Sequence, residues 1–297
     1  MQAERLRKGG TIGIFCPSHV ADMKRYAQTA RALERLGFAV KFGKNVCLDS
    51  YGYAASAEER AQDLNELVAD EEVQMVLFNG GESAVEILPH IDYEAIRRHP
   101  KLFCSYSDAT SILNTIHART GLVTYYGPGA GDFMDLRQYN YEQFCAHFVQ
   151  GYEAPKAFVS DSEWKTLHGG SCEGRLIGGY SALFALLLSN RYFRYDGQEK
   201  YLLFLEDHEM FSNVGEAATY LGFVEQSAFM ERVTGLIFGQ YAAEAPEALL
   251  RCLQRLGERN NIPVVYTDDF GHGARHAVLP IGRRAKLDAD AQSLLFE

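Results

Sequence analysis

Short apolar runs alternate with amphipathic stretches along about the first 130 residues, and this alternation constrains the fold more than any other feature. The predicted strands are residues 11–16, 38–42, 73–78 and 102–106. The predicted helices are residues 26–36, 58–68, 85–88 and 109–118. Strand–helix–strand repeats of this kind build a mostly parallel sheet with flanking helices. The sequence therefore predicts an N-terminal α/β domain.

The pattern is interrupted in the middle of the chain and then resumes. Residues 151–175 contain Pro155 and several glycines and show little periodicity, which favours a linker between two domains. Further on, the predicted strands are residues 201–205, 233–239 and 263–266, and the predicted helices are residues 181–188, 217–229 and 246–256. The predicted organisation is an N-terminal domain over residues 1–150, a linker over 151–175 and a smaller C-terminal α/β domain over 176–297.

The charge of the chain argues against nucleic-acid binding. The 297 residues carry a net charge of −10, and the sequence pI is about 5.4. Proteins that grip nucleic acid through its phosphates usually present a basic face, and no run of Lys and Arg supplies one here. We therefore expect no nucleic-acid polymer among the partners.

The six cysteines are scattered, with no C-x-x-C pair and no zinc-finger spacing. This favours reduced, mostly buried thiols in a reducing compartment, and it gives no reason to expect a metal or another cofactor. The N-terminus lacks the apolar run of a secretory signal, and no stretch approaches the roughly 20 apolar residues of a membrane span. The sequence predicts a cytoplasmic protein with no membrane partner.

Reactive side chains follow several predicted strands, at the edge of the sheet where ligands bind in open α/β folds. Ser107 comes directly after the strand 102–106 and before a helix, a position that exposes a hydroxyl and aims helix N–H groups at its target. The segment resembles a nucleophile elbow, although Ser105 and Ala109 stand where G-x-S-x-G has glycines. The alternative is a plain helix N-cap, for which serine is a preferred residue.

A serine nucleophile needs a base, and the base needs an acid to orient it. His272 lies between two glycines in a predicted loop and is the favoured base, with His276 and His208 as alternatives. Glu206 ends a very apolar strand, where a buried carboxylate must be paired, and a histidine is a natural partner. Asp207 competes for this role. The alternatives for Glu206 are a structural salt bridge or an acid at a helix N-terminus.

Gly80 and Gly81 follow the predicted strand 73–78 and allow a backbone N–H to approach a ligand closely. Together with the N–H of Asp108, this loop is a candidate oxyanion hole. The alternative is a turn that merely needs glycine. A dinucleotide-binding loop is not indicated, because the G-x-G-x-x-G pattern is absent.

The order Ser, Glu, His with these flanking sequences resembles the LD-carboxypeptidase family of serine peptidases, which includes the microcin C immunity proteins. The resemblance extends over nearly the whole chain. The matching segments are residues 6–12, 17–18, 59–65, 80–81, 88–93, 105–110, 120–128, 174–179, 204–207, 271–272 and 279–282. Each segment alone is weakly specific, and their common order makes the match strong.

This resemblance implies a serine peptidase with Ser107 as the nucleophile, His272 as the general base and Glu206 as the acid that orients it. It implies an oxyanion hole made by the backbone N–H groups of Gly81 and Asp108. It also implies a two-domain fold, with the serine on the N-terminal domain and the other two catalytic residues on the C-terminal domain. A homodimer without a metal is the expected state.

Two departures from the family pattern bear on the site. The family usually has glycine where this chain has Ser105, and many cell-wall members carry arginine where this chain has Asn79. Residues 79–83 are more similar to the immunity proteins. Glu82 and Trp164 are the candidate substrate-binding residues, and Trp164 either stacks on a nucleobase-like ligand or packs at the domain junction.

Two substrates are implied by the resemblance. The main expectation is a murein-derived tetrapeptide, cut at the bond before its terminal D-amino acid. The alternative is an aminoacyl or peptidyl nucleotide of the microcin C type. A third hypothesis is a non-catalytic relative that binds such a ligand and has lost turnover.

Overall fold

The chain folds into two units, each built around its own sheet. The computed structural model describes residues 1–151 and 154–297, and the units are Met1–Tyr152 and Glu153–Glu297. Both units combine a sheet with helices, and the predicted α/β class is confirmed.

Parallel strands form the sheet of the N-terminal unit. The strands are β1 (Thr11–Phe15), β2 (Ala39–Phe42), β3 (Val73–Phe78), β4 (Leu102–Ser105) and β5 (Thr124–Tyr126). They pair in the order β5-β4-β3-β1-β2. Strands β1, β4 and β5 are buried throughout, because helices cover both faces of such a sheet. The mostly parallel N-terminal sheet is therefore confirmed.

The helices of this unit begin and end where local signals place them. They are α1 (Met23–Arg35), α2 (Ala57–Ala69), α3 (Tyr93–Arg98), α4 (Thr110–Thr120) and α5 (Gln138–Phe144). Asp22 caps α1, Ser56 and Glu59 form a capping box on α2, and Gly121 ends α4 in the left-handed region. Shorter helical turns cover Ala84–His90, Ser107–Ala109, Ala130–Asp135 and Cys145–Val149.

The C-terminal unit has a mixed sheet. Its strands are β6 (Lys156–Ala157), β7 (Lys165–His168), β8 (Ser171–Tyr180), β9 (Tyr201–Glu206), β10 (Val233–Gln240), β11 (Val264–Gly271), β12 (Leu279–Ile281), β13 (Arg284–Asp288) and β14 (Ser293–Phe296). The order β6-β14-β13-β8-β9-β10-β11-β7 joins eight of them in one sheet. The central strands β8 to β11 run parallel, and the outer pairs are antiparallel.

The helices of the C-terminal unit connect its parallel strands. They are α6 (Ser181–Leu187), α7 (Val214–Glu225) and α8 (Glu247–Asn260), with a 3₁₀ helix at Ala228–Arg232. Since β9 and β11 both run parallel to β10, their carboxyl ends lie at the same edge of the sheet. Glu206 ends β9, and His272 follows β11 at this edge.

The predicted linker over residues 151–175 differs from what the structure shows. Strands β6 and β7 and the first half of β8 lie in this segment and belong to the sheet of the C-terminal unit. Their side chains are mostly polar and only partly buried, so they lack the apolar pattern that identifies a central strand. Residues 152–153 lie outside the described part of the chain.

Helices of membrane-spanning length and apolarity are not found among the described residues.

Candidate active site

Ser107 occupies a strained position just after strand β4. Its φ is +60°, in the left-handed region that residues other than glycine rarely adopt. Holding a residue there costs about 1–2 kcal/mol, and such strain concentrates at functional sites. Helix α4 is capped at Ala109 without a side-chain hydrogen bond, so Ser107 is not the helix cap of the alternative interpretation.

Two side chains hold the backbone of Ser107 in this conformation. The Ser107 N–H donates to Tyr126 Oη at 2.9 Å, and the Thr110 hydroxyl donates to the Ser107 carbonyl oxygen at 2.6 Å. Tyr126 belongs to β5 and Thr110 is the first residue of α4, and both are almost completely buried. The turn is therefore fixed both from the neighbouring strand and from the following helix.

Ser105 replaces a family glycine without disturbing this turn. It is the last residue of β4, has no positive φ and is fully buried. Its hydroxyl donates to the Phe78 carbonyl oxygen at 3.3 Å. The backbone at this position does not require glycine, and the small side chain has both space and a hydrogen-bond acceptor.

The paired glycines lie beside Ser107. A Cβ atom built on Gly80 would be 3.9 Å from the Ser107 Cβ. A Cβ atom on Gly81 would come within 2.2 Å of Ser18 Oγ and 2.7 Å of the Ser18 carbonyl oxygen. Glycine at position 81 is therefore required by the close approach of the loop after β1, which is a stronger reason than a simple turn.

Asp108 connects the serine turn to the glycine loop. Its Oδ2 accepts the Ala84 N–H at 2.8 Å, and burial raises the pKa of its carboxyl group. Within the described part of the chain, neither the Gly81 N–H nor the Asp108 N–H has a hydrogen-bond acceptor. Both N–H groups can thus donate to a ligand, and the oxyanion hole remains a prediction.

Arg60 is a structural support of this loop region that the sequence analysis missed. The side chain is only 2% exposed, and its guanidinium donates to the carbonyl oxygens of Pro17 and Ser83 and to the Glu86 carboxylate. These contacts tie the loop after β1 to the loop after β3. The predicted helix 58–68 gave Arg60 no role of its own, and this residue appeared only within the family-matching segment 59–65.

Glu206 and His272 form a hydrogen-bonded pair in the C-terminal unit. Glu206 Oε2 lies 2.9 Å from His272 Nδ1, and the two side chains are 0% and 9% exposed. A buried carboxylate on Nδ1 fixes the ring orientation and stabilises the protonated imidazole, so that Nε2 is the atom that exchanges protons with a reactant. The structure brings these two predicted residues together.

Glycine before His272 is required by the backbone. Gly271 has a φ of +114°, and a Cβ atom there would be 3.1 Å from Glu206 Oε2 and 3.2 Å from the Gln240 carbonyl oxygen. A side chain at this position would be strained and would press on the carboxylate that holds His272.

Aromatic rings surround the imidazole of His272. The ring of Tyr180 is 5.3 Å away and the ring of Phe211 is 4.9 Å away, both edge-on. Edge-to-face contacts of this kind restrict the rotation of the imidazole and reduce its access to water.

Asp207 and His208, the alternative acid and one of the alternative bases, form hydrogen bonds with other groups. Asp207 accepts hydrogen bonds from the Ser212 hydroxyl and the His208 N–H, and burial raises its pKa to about 6. His208 Nδ1 accepts the Met210 N–H at 3.2 Å, and burial lowers the pKa of His208. The geometry therefore favours Glu206 over Asp207 as the partner of His272.

The two candidate substrate-binding residues have different environments. Glu82 is exposed in the loop after the paired glycines. Trp164 is only 7% exposed, packs against Phe158 at 5.6 Å, and donates from Nε1 to Asp269 Oδ2 at 3.0 Å. This burial favours the packing alternative for Trp164 over stacking on a ligand.

Among the described residues, no group of three or more His, Cys, Asp or Glu side chains is arranged to hold a metal ion. All six cysteines are free thiols. The chemistry that these units offer is that of a serine hydroxyl and a histidine–carboxylate pair.

Two family models match this chain. Residues 12–127 match the LD-carboxypeptidase N-terminal domain, and residues 173–287 match the LD-carboxypeptidase C-terminal domain. Ser107 lies in the first matched region, and Glu206 and His272 lie in the second.

Individual proteins that are similar to this chain are described as carboxypeptidases or as microcin immunity proteins. A Bacillus subtilis protein described as a probable murein peptide carboxypeptidase is 36% identical over 210 residues, which cover 68% of this chain and 63% of that protein. The Escherichia coli microcin C7 self-immunity protein MccF is 26% identical over 98% of this chain and 94% of its own length. The crystal structure of an MccF-like protein from Bacillus anthracis superimposes with a TM-score of 0.89 at 27% identity, covering 100% of this chain and 98% of that one.

Proposed function

The chain belongs to the LD-carboxypeptidase family of serine peptidases, and from this premise we propose that it hydrolyses the amide bond before the terminal D-amino acid of a murein-derived peptide. The observation that carries the proposal is the buried Glu206–His272 pair, whose interacting atoms are 2.9 Å apart. The positive φ of Ser107 supports it, because backbone strain of this kind concentrates at functional sites.

The proposed catalytic residues are Ser107, His272 and Glu206. Ser107 Oγ attacks the substrate carbonyl carbon while His272 Nε2 takes the hydroxyl proton. The Gly81 and Asp108 N–H groups donate to the tetrahedral oxyanion. The carbon–nitrogen bond then breaks, and His272 gives its proton to the leaving amine. Water hydrolyses the Ser107 ester by the same steps and releases the shortened peptide, while Glu206 keeps the His272 ring oriented.

The hydrolysis of aminoacyl or peptidyl nucleotides is the second candidate function. It is favoured by the similarity to the immunity protein MccF and to the MccF-like structure over nearly the whole chain. The buried indole of Trp164 does not support it, because stacking on a nucleobase needs an accessible ring.

Incubation of the purified protein with both substrate types, followed by mass spectrometry, tests the proposal. We expect release of one terminal amino acid from a murein tetrapeptide and a lower rate with an aminoacyl nucleotide. Ser107→Ala should lower the rate by about 10⁴-fold or more while the protein stays folded. Release of the amino acid at an undiminished rate by Ser107→Ala would contradict the mechanism, and cleavage of the nucleotide alone would establish the second function.

The choice of base is tested by a matched pair of histidine variants. His272→Ala should abolish turnover because it removes the proton acceptor, whereas His276→Ala should retain most of it. Equal losses in the two variants, with both proteins folded by circular dichroism, would refute the assignment of His272.

We also propose that the protein acts in the cytoplasm and as a homodimer. The free thiols support a reducing compartment, and the family resemblance supports the dimer. Light scattering coupled to size-exclusion chromatography tests the dimer, and a mass of a single chain of 33.3 kDa at micromolar concentration would contradict it.

A further inference from the structure

A pocket of about 380 Å³ opens within the N-terminal unit, beside the proposed nucleophile. Its walls come from the loops after β1, β3, β4 and β5 and from the first turns of α1. A volume of this size is typical of sites for small molecules, which are about 300–1,000 Å³. The pocket therefore has room for one amino-acid residue.

The pocket lies next to the reacting serine. Gly80 lines it, and a Cβ atom on Gly80 would be 3.9 Å from the Ser107 Cβ. Tyr106, the residue before Ser107, lines it as well. A group that sits in this pocket is thus only a few bonds from an acyl carbon that Ser107 attacks.

Arg25 supplies the fixed positive charge of the pocket. Its side chain lines the pocket, and in the described part of the chain no carboxylate pairs with it. His19, which also lines the pocket, contacts Cys16 Sγ and Tyr26 Oη, and burial lowers its pKa, so it is neutral at pH 7. An exposed guanidinium without a partner is suited to bind an anionic oxygen pair, since its planar fork matches a carboxylate.

The two acidic side chains of the pocket wall accept hydrogen bonds from backbone N–H groups. Asp22 accepts the Lys24 N–H at 2.9 Å as the cap of α1, and Asp132 accepts the Gly129 N–H at 2.8 Å. Asn79 accepts the Gly131 N–H at 2.8 Å and is a neutral support of the wall. The cation that can meet an anionic substrate group in this pocket is therefore Arg25.

We propose that this pocket binds the leaving amino acid of the substrate, with its terminal carboxylate on the Arg25 guanidinium. The inference rests on the proposed carboxypeptidase function and adds the residue that recognises the free chain end. A carboxypeptidase must distinguish a terminal residue from an internal one. A guanidinium in the pocket that Gly80 and Tyr106 also line makes this distinction through the charge that only the terminal residue carries.

The test compares Arg25→Gln with Arg31→Gln, which removes the same charge from an exposed position of α1 outside the pocket. The substrates are a murein tetrapeptide with a free carboxylate and the same peptide as its C-terminal amide. We expect Arg25→Gln to raise KM for the acid by about 10- to 100-fold with little change in kcat. The wild type should discriminate against the amide by a similar factor, and Arg31→Gln should resemble the wild type.

Binding measured by calorimetry with the inactive Ser107→Ala protein separates this inference from the proposed function. The acid should bind more tightly than the amide, and adding Arg25→Gln should remove the difference. Equal affinities for acid and amide in Ser107→Ala would overturn the pocket assignment. If the wild type hydrolyses neither peptide, the proposed function fails, and a preference for the acid that depends on Arg25 would still support the pocket.

Discussion

The backbone of Ser107 is held at a φ of +60° by the hydrogen bond from its N–H to Tyr126 Oη, and we expect turnover to depend on this bond. Tyr126→Phe removes the hydrogen bond that this half-buried N–H donates, and the loss of such a bond costs about 1–3 kcal/mol. The turn should then relax, and we expect kcat to fall about tenfold with KM nearly unchanged. Steady-state kinetics on the tetrapeptide measure both constants.

Tyr125→Phe is the matched control for this prediction. Tyr125 is the neighbouring residue of β5, is also buried, and packs against Phe148 with ring centroids 4.9 Å apart. We expect kcat to fall in Tyr126→Phe, which loses the hydroxyl bonded to Ser107, and to stay unchanged in Tyr125→Phe. If both variants lowered kcat equally, the Tyr126 hydroxyl would have no specific role in turnover and would contribute only to the stability of the fold.

At this scale the sequence offers clearer signals for the candidate catalytic residues than for the side chains that support them. Ser107, Glu206 and His272 stand out because they follow apolar strands and match a family in order. The positive φ of Ser107 depends on hydrogen bonds with Tyr126, on the neighbouring strand, and with Thr110, three residues further on, and neither bond can be recognised from the apolar pattern of the sequence. The burial of Arg60 could not be predicted, because helical periodicity does not show which loops cover a helix.

At the scale of elements, the backbone conformation at the end of strand β11 positions His272 for its hydrogen bond with Glu206. Gly271 has a φ of +114° and lies against the Glu206 carboxylate. Gly271→Ala forces a Cβ into this contact and strains the backbone, so the imidazole should shift. A displacement of about 1 Å near reacting groups can lower the rate about 100-fold, and we expect a loss of this order in kcat.

Gly273→Ala is the control on the other side of His272. A Cβ atom there meets the end of the flexible Gln240 side chain, which can move, and the backbone φ is not positive. We therefore expect a much smaller loss than for Gly271→Ala, with thermal unfolding monitored for both variants. A larger loss in Gly273→Ala would show that the backbone at Gly271 is not what positions the pair.

Sequence periodicity predicted the longer apolar, parallel strands best. Strand β3 was predicted with its observed bounds, and β9 and β10 to within one residue, because parallel strands that are buried on both faces read as apolar runs. Strands β6, β7, β13 and β14 were not predicted, since they lie toward the outer, antiparallel parts of the sheet and mix polar with apolar residues. Strands β5 and β12 were not predicted because each has only three residues, and β8 was not predicted because three glycines interrupt its apolar run. Strand β11 also continues to Gly271, through residues that were predicted as a loop.

At the scale of the whole molecule, each unit contains a buried carboxyl group whose pKa is raised to about 6. Asp63 in the N-terminal unit accepts the Asn45 N–H, and Asp207 in the C-terminal unit accepts the Ser212 hydroxyl. Burial is the main cause in both cases. Because the unfolded chain has pKa values near 3.9 for such groups, the folded protein binds more protons between about pH 4 and 6. These two groups therefore make stability fall as pH rises through that window.

Asp207→Asn should remove the contribution of one of these groups. The amide oxygen can still accept the hydrogen bonds of Ser212 and His208, and the charge that burial disfavours is gone. The variant should gain up to about 3 kcal/mol relative to wild type above pH 6 and little near pH 4. Thermal unfolding at a series of pH values from 4 to 8 measures this difference.

Glu209→Gln separates burial from a general charge effect, because Glu209 is an exposed carboxylate two residues away. It should leave the pH dependence of unfolding unchanged, whereas Asp207→Asn should flatten it by about one proton between pH 4 and 6. Asp207→Asn should also retain turnover, since Glu206 rather than Asp207 bonds to His272 Nδ1. If Asp207→Asn were stabilised but inactive, the Asp207 carboxylate would take part in catalysis. If the pH dependence of its unfolding matched that of the wild type, Asp207 would be ionised in the folded protein well below pH 6.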